Sequence, residues 1–277
     1  MYEIETTSRS DIVSQSAVKS AVPFAGTRGI GRKLTEFIIL TRIQYANIRD
    51  TWVWVLLMST MFPFTTMLFM ISFADNPSHE ALIRVIAGNL IFGIIVTGMN
   101  SMGQEISWQK HQGHFTFYLS LPISKLNFVI ANMLKGLMSA LPSFVLLAAF
   151  GKWGYGIDFH ITWALPIVVL LSLTSVVGVG VGIGFWSPNH QLTNMLVQAL
   201  MMFVTFLSPV MVDMHQLPSL LQWVAYIFPT TYAAEAMRGV LLTGWTTDVM
   251  LNSIVLLGYS ILSILVIHFL VKWRVGE

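Results

Sequence analysis

Few side chains in this sequence have the types and spacing that chemistry requires, and each has a quieter explanation. His111 and His114 stand three residues apart, near enough on a helix to share a metal ion. Such a site usually needs three or four ligands. The chain has no Cys, and no Asp or further His accompanies the pair, so a solvated loop is the expectation. Glu235 and Arg238 are also three apart. They can pair on one helical face, either locking a gate or only neutralising charge in apolar surroundings. Lys135 stands inside an apolar run, where a long side chain is expected to reach back to the headgroups. An intramembrane lipid-modifying enzyme or protease needs His, Asp or Ser converging at one depth, and of the histidines only His268 falls within an apolar run. A secondary carrier, the other alternative, needs ion-binding acids at mid-depth, yet apart from Lys135 the runs have almost no ionisable residue. No Gly-x-x-x-x-Gly-Lys followed by Ser or Thr is present to cradle phosphates; Gly151-Lys152 continues into Trp153. The chain itself is expected to be no enzyme and to hold no metal or cofactor.

Composition decides what must position these residues. Of 277 residues, 55% are hydrophobic and 10% charged, and mean hydropathy is +0.71, whereas a soluble domain carries about 25% charged residues. Continuous apolar runs of about 20 residues recur, the length that crosses a hydrocarbon core of about 30 Å. Backbone polar groups in lipid must be satisfied within the segment, which makes such runs helices; the alternating pattern of a membrane β-barrel is absent. The expected fold is an all-α polytopic membrane protein with six spans, at 51–73, 82–102, 128–150, 161–186, 192–212 and 249–271. Before them come a flexible cytosolic tail, 1–32, without the apolar core of a cleavable signal peptide, and an amphipathic interfacial helix, 33–50. The alternative for 33–50 is the fraying start of the first span.

Residues 217–242 are long enough for a seventh span, but Phe228-Pro229-Thr230-Thr231 breaks them and Glu235 and Arg238 charge them. Proline in a helix interior costs about 3 kcal/mol, and a charge at the bilayer centre adds about 2.5–3.5 kcal/mol. A re-entrant hairpin of two short helices is expected instead, with Thr230 or Thr231 capping the second. Cations fix the orientation. They gather in the tail, in 33–50, at Lys110 and Lys125, and at Lys272 and Arg274, leaving Arg84, Lys152 and Arg238 for the other side. Six spans keep both termini in the cytoplasm, as the positive-inside rule requires; seven do not. A net charge of +2 makes no case for nucleic acid.

The connection 104–124 is the longest cytosolic one after the tail. Within it Phe115, Tyr118, Leu119 and Leu121 pattern as a short amphipathic helix ended by Pro122, with Ser124 able to cap the next helix. From Gly113 to Ala131, through Leu119-Ser120-Leu121-Pro122-Ile123-Ser124-Lys125, the sequence resembles the most characteristic stretch of ABC-2-type transporter permeases. Phe228-Pro229-Thr230-Thr231-Tyr232-Ala233-Ala234-Glu235-Ala236-Met237-Arg238 is similar to that family's Pro-x-x-Tyr segment with its following acidic residue and arginine. Order, spacing and the six-span layout agree over about Lys33 to Arg274. The chain departs from the family pattern at Gln109-Lys110-His111-Gln112, where acidic and basic residues are common, and at His114, where threonine is common.

The resemblance implies the permease subunit of an ATP-driven exporter in the cell membrane. It implies a pairing with a second copy or a paralogue, and two cytosolic ATP-binding subunits that hold ATP and Mg. A drug, antibiotic, lipid or lipid-linked glycan would move outward between the protomers. Gly113, His114, Phe115, Tyr118, Leu119 and Pro122 would face the ATPase together with the interfacial helix, and Pro229, Tyr232, Glu235 and Arg238 would form the re-entrant gate. Two further features come from the residues themselves. Gly178, Gly180, Gly182 and Gly184 make two small-x-x-x-small faces, read as close helix packing or as a flexible element in gating. Met61, Met67, Met70, Met201, Met202 and Met211 can line an adaptable apolar path for amphiphiles.

Overall fold

The computed structural model describes residues 30–72, 78–113, 124–157, 159, 162–210, 214 and 217–270, and no strand is found among them. Six of the described helices are long and apolar enough to cross a membrane, the number expected. The first helix, α1, runs Ile30–Ser72. Packing sets residues 1–35 apart as one compact unit and 36–277 as another. Of the first unit, the opening turns of α1 are described, where the Thr35 hydroxyl donates to the Gly31 carbonyl at 3.0 Å. Everything below belongs to the second.

From Glu36 to Ser72, α1 measures about 55 Å at 1.5 Å per residue, nearly twice a hydrocarbon core. Its apolar part, Trp52–Ser72, suffices to cross, and within the second unit no break separates it from the residues before it. The second span is a column in three parts: α2 (His79–Ile94), a π-helical segment (Ile95–Ser101) and α3 (Met102–His111). The Ser78 hydroxyl caps its start, accepting from the Ala81 amide at 3.2 Å, and Gly113 follows its end in the left-handed region at φ +77°. The expected loop 104–124 is therefore too long by its first eight residues, because 104–111 are helical. Their polar composition concealed a helix that packs on protein rather than lipid.

Helix α4 (Lys125–Tyr155) starts at Ser124, whose hydroxyl accepts from the Asn127 amide at 3.3 Å as expected, and stops at Gly156, φ +64°. Helices α5 (Ala164–Trp186) and α6 (His190–Leu207) follow, the latter capped by Asn189 accepting from Leu192 at 2.7 Å. The segment 217–242 holds two short helices, α7 (Ser219–Ala225) and α8 (Pro229–Leu242). The cap of α8 is not a threonine: Phe228 is the N-cap and Pro229 the first helical residue. There its fixed φ suits the helix and its missing N–H would be unpaired anyway. Last comes α9 (Thr247–Leu270).

Within this second unit α5 is central, packed by α9, α3, α8 and the π segment, while α8 also lies on α2 and α9. The main apolar core joins α2, α4, α5 and α8 around Ile86, Leu90, Ile91, Leu147, Val168, Val176, Ala233 and Met237, all at most 2% exposed. The glycines of α5 explain how closely it sits. A Cβ on Gly180 would lie 2.7 Å from the Gly98 carbonyl oxygen, and one on Gly184 2.7 Å from that of Gly103. Gly178 abuts Ser263 of α9, whereas Gly182 has open space. Gly180 and Gly184 thus let backbones touch and Gly178 lets the Ser263 side chain approach, which is the packing reading.

Candidate functional site

The described residues singled out in the sequence do not form one site: one group lies where α3 ends and another around the start of α8. In the first group α3 and α4 are joined through Gly113, which is exposed; His114, Phe115, Tyr118, Leu119 and Pro122 lie outside the described residues. What precedes Gly113 is a polar clasp on the end of α5. Lys110 Nζ donates to the carbonyl oxygens of Phe185 and Ser187, both at 2.8 Å, serving acceptors that a helix C-terminus leaves open. His111 does not stand in a solvated loop. Its Nδ1 is 2.8 Å from the Ser107 carbonyl oxygen and its Nε2 2.8 Å from that of Pro188. Thr193 of α6 donates to the Ser107 hydroxyl at 2.8 Å, and Trp108 meets His190 edge-on at 5.6 Å. The clasp thus ties the α3 end to the α5–α6 turn. Among the described residues no group of three or more His, Cys, Asp or Glu could hold a metal ion.

In the second group the junction of α7 and α8 is pinned by tyrosines. Tyr232 donates to the Tyr226 carbonyl at 3.0 Å, and Tyr259 of α9 to that of Ile227 at 2.8 Å. The Tyr232 ring lies 6.0 Å from Tyr226 and 6.1 Å from Tyr259. Thr231 donates to the Ala225 carbonyl, and Ser208 links to both Thr230 and Thr231, at 3.3 and 3.0 Å. Pro229 is buried at the head of α8. Glu235 and Arg238 line one polar cavity with Arg84 and Asp248. Arg238 is 7% exposed and donates to the Val210 carbonyl at 3.2 Å.

Of the methionines, Met70, Met201 and Met202 come together in an apolar cavity of about 460 Å³ between α1, α2 and α6, with Phe62, Phe92 and Phe206. Met67 is fully buried, Met61 is exposed, and Met211 lies outside the described residues.

Lys135 is 7% exposed and ion-paired with Glu105 of α3, a partner the sequence reading did not give it. The Gln109 amide supports that carboxylate at 2.8 Å. Burial favours pairing over snorkelling because an unpaired buried charge costs several kcal/mol, roughly. Sequence reasoning missed Glu105 because it assigned the residue to a loop. A charged residue four positions before Gln109, on a possible helical face, was the available signal.

A family model described as ABC-2 type transporter matches residues 35–242 of the chain. No curated protein matches it.

Proposed function

Since the chain belongs to the ABC-2 type transporter family, we propose that it is the permease of an ATP-driven exporter, carrying an amphiphilic substrate outward while a separate subunit hydrolyses ATP. The observation that carries this reading is the extent of the family match, which takes in five of the six spans and the α7–α8 pair. Membership implies an ABC ATP-binding partner in general terms. Two such subunits and a second permease copy or paralogue complete the proposed assembly, with ATP and Mg held by the partners.

The ATPase is assigned to the α3–α4 connection, with Gly113, His114, Phe115, Tyr118, Leu119 and Pro122 as the coupling residues. The Lys110 and His111 clasp supports this, because it links the start of that connection to the α5–α6 turn and so gives a push there a path into two spans. Both termini are assigned to the same cytoplasmic side. Pro229, Tyr232, Glu235 and Arg238 are assigned to the opposite side as a re-entrant gate, a reading supported by two helices too short to span. Broken backbone of this kind is tolerated at membrane depth where protein surrounds it. The Met- and Phe-lined cavity favours an apolar, variable cargo such as a drug or lipid tail.

The test is reconstitution. Tagged chain purified from its native membrane is expected to bring an ATP-binding subunit with it, and the pair in liposomes is expected to move a fluorescent amphiphile only with ATP. Equal transport by the chain alone without ATP would defeat the exporter reading.

A further inference from the structure

His111 is exposed, so its ring exchanges protons with the solution, yet both ring nitrogens are engaged. Nδ1 lies 2.8 Å from the Ser107 carbonyl oxygen and Nε2 2.8 Å from that of Pro188. Both partners are carbonyl oxygens, which only accept. A neutral imidazole has one N–H and one bare nitrogen, and the cation alone donates from both. The seat is therefore complete only around a charged ring. In the neutral ring a bare nitrogen faces a carbonyl oxygen at hydrogen-bond distance, lone pair against lone pair, and the ring must leave one partner.

The surroundings suit a cation held without a permanent partner. His111 is the last residue of α3, and Pro188 stands two residues beyond the end of α5, so the negative ends of two helices converge on the ring. Helix α3 packs on α5, α6 and the π segment. Residues 183–189 and 95–101 contain no ionisable side chain. On α3 itself Lys110 donates to the Phe185 and Ser187 carbonyls, and Glu105, six residues back, pairs with Lys135 of α4. His190 heads α6 with its ring 5.6 Å from that of Trp108. Among the described residues no carboxylate pairs with His111, so carbonyl dipoles hold its charge.

We propose that His111 is a pH switch on the clasp: the protonated ring fastens the end of α3 to the α5–α6 turn, and loss of one proton releases it. Lys110 holds its two carbonyls on either side of neutrality, whereas a histidine gains and loses its charge between about pH 5 and 8. The sign follows from the acceptors. The fastened state binds the extra proton, so the clasp is tight at acidic pH and loosens as pH rises. On the orientation and coupling path proposed above, the pH sensed is that of the cytoplasm, and acidification stiffens the route from the α3–α4 connection into α5 and α6. That consequence rests on the export reading; the switch itself does not.

Amide exchange of the full chain in nanodiscs, followed by mass spectrometry at about pH 5 and about pH 8, tests the switch without any transport assay. After correction for the intrinsic rate, protection over 183–193 in the unsubstituted chain is expected to fall about two- to fivefold at the higher pH, the effect of a cation at an exposed helix C-terminus. His111→Gln, a neutral change at an exposed position, is expected to abolish that difference, and His190→Gln to leave it in place. Equal protection of the unsubstituted chain at the two pH values overturns the proposal whether or not either variant folds. A difference that survives His111→Gln, or that disappears with His190→Gln, overturns it as well.

Discussion

Lys135 is paired inside the bundle with a single carboxylate, that of Glu105. Removing one member of a buried pair strands the other at a cost of about 3–5 kcal/mol, whereas replacing both with apolar residues is often neutral. The Glu105 side chain is 30% exposed, which points to the lower end. Lys135→Met is therefore expected to lower the thermal midpoint and the monodisperse yield of the purified chain, and Lys135→Met with Glu105→Leu to recover most of both. A double variant as damaged as the single one would show that the pair is not what holds α3 to α4. Two glycines of α5 offer a matched contrast. Gly180→Ala drives a Cβ against the Gly98 carbonyl and is expected to cost about 1–3 kcal/mol through overpacking. Gly182→Ala meets open space and is expected to leave the midpoint unchanged or slightly raised, since alanine favours helix by about 1 kcal/mol. Thermal unfolding of the two variants side by side decides it.

Between elements, polar contacts add register to the apolar packing. Glu36 accepts from the Ser124 amide at 3.3 Å and Gln44 donates to Asn132 at 3.2 Å. Both contacts join residues 88 positions apart, so α1 and α4 run parallel in a fixed register along this seam. The Lys110 clasp on α5 is a second such contact. Lys110→Met is expected to free the carbonyls of Phe185 and Ser187, with local exchange of backbone amides over 185–190 rising several-fold while global stability falls by about 1.5–3 kcal/mol at most. Unchanged exchange there would mean the clasp holds nothing. The spans themselves were legible in sequence because continuous apolar runs have one structural solution in lipid, and the break at Pro229 was legible because proline ends a helical pattern. Helix α3 was not, since Gln104, Glu105, Gln109 and Lys110 read as loop until their partners on α4 and α5 are known. The Thr230 and Thr231 hydroxyls likewise looked like caps, but they are committed to Ser208 and the Ala225 carbonyl. Long-range partners, not local preference, decided those positions.

For the molecule as a whole, the proposed orientation can be read directly because the chain contains no Cys. Single cysteines therefore label without background. Lys152→Cys and Gln191→Cys both replace exposed residues. In intact cells a membrane-impermeant maleimide is expected to reach the first, and the second only after permeabilisation; labelling of both from one side would sink the six-span orientation. The described surface of α1, α6 and α9 carries large apolar side chains such as Trp52, Phe69, Met202, Phe206, Ile261 and Phe269, as spans facing lipid or a second permease require. The π segment Ile95–Ser101 has a consequence for the column it interrupts. Its wider turn accommodates a residue that an α-helix would not, and each residue of an α-helix advances by about 100°. Were those residues to wind as an α-helix, α3 would turn by about that angle about its own axis. Glu105 would swing off α4, and Lys110 and His111 off α5, in one motion. The azimuth of the whole lower third of the second span is thereby set by a single surplus residue.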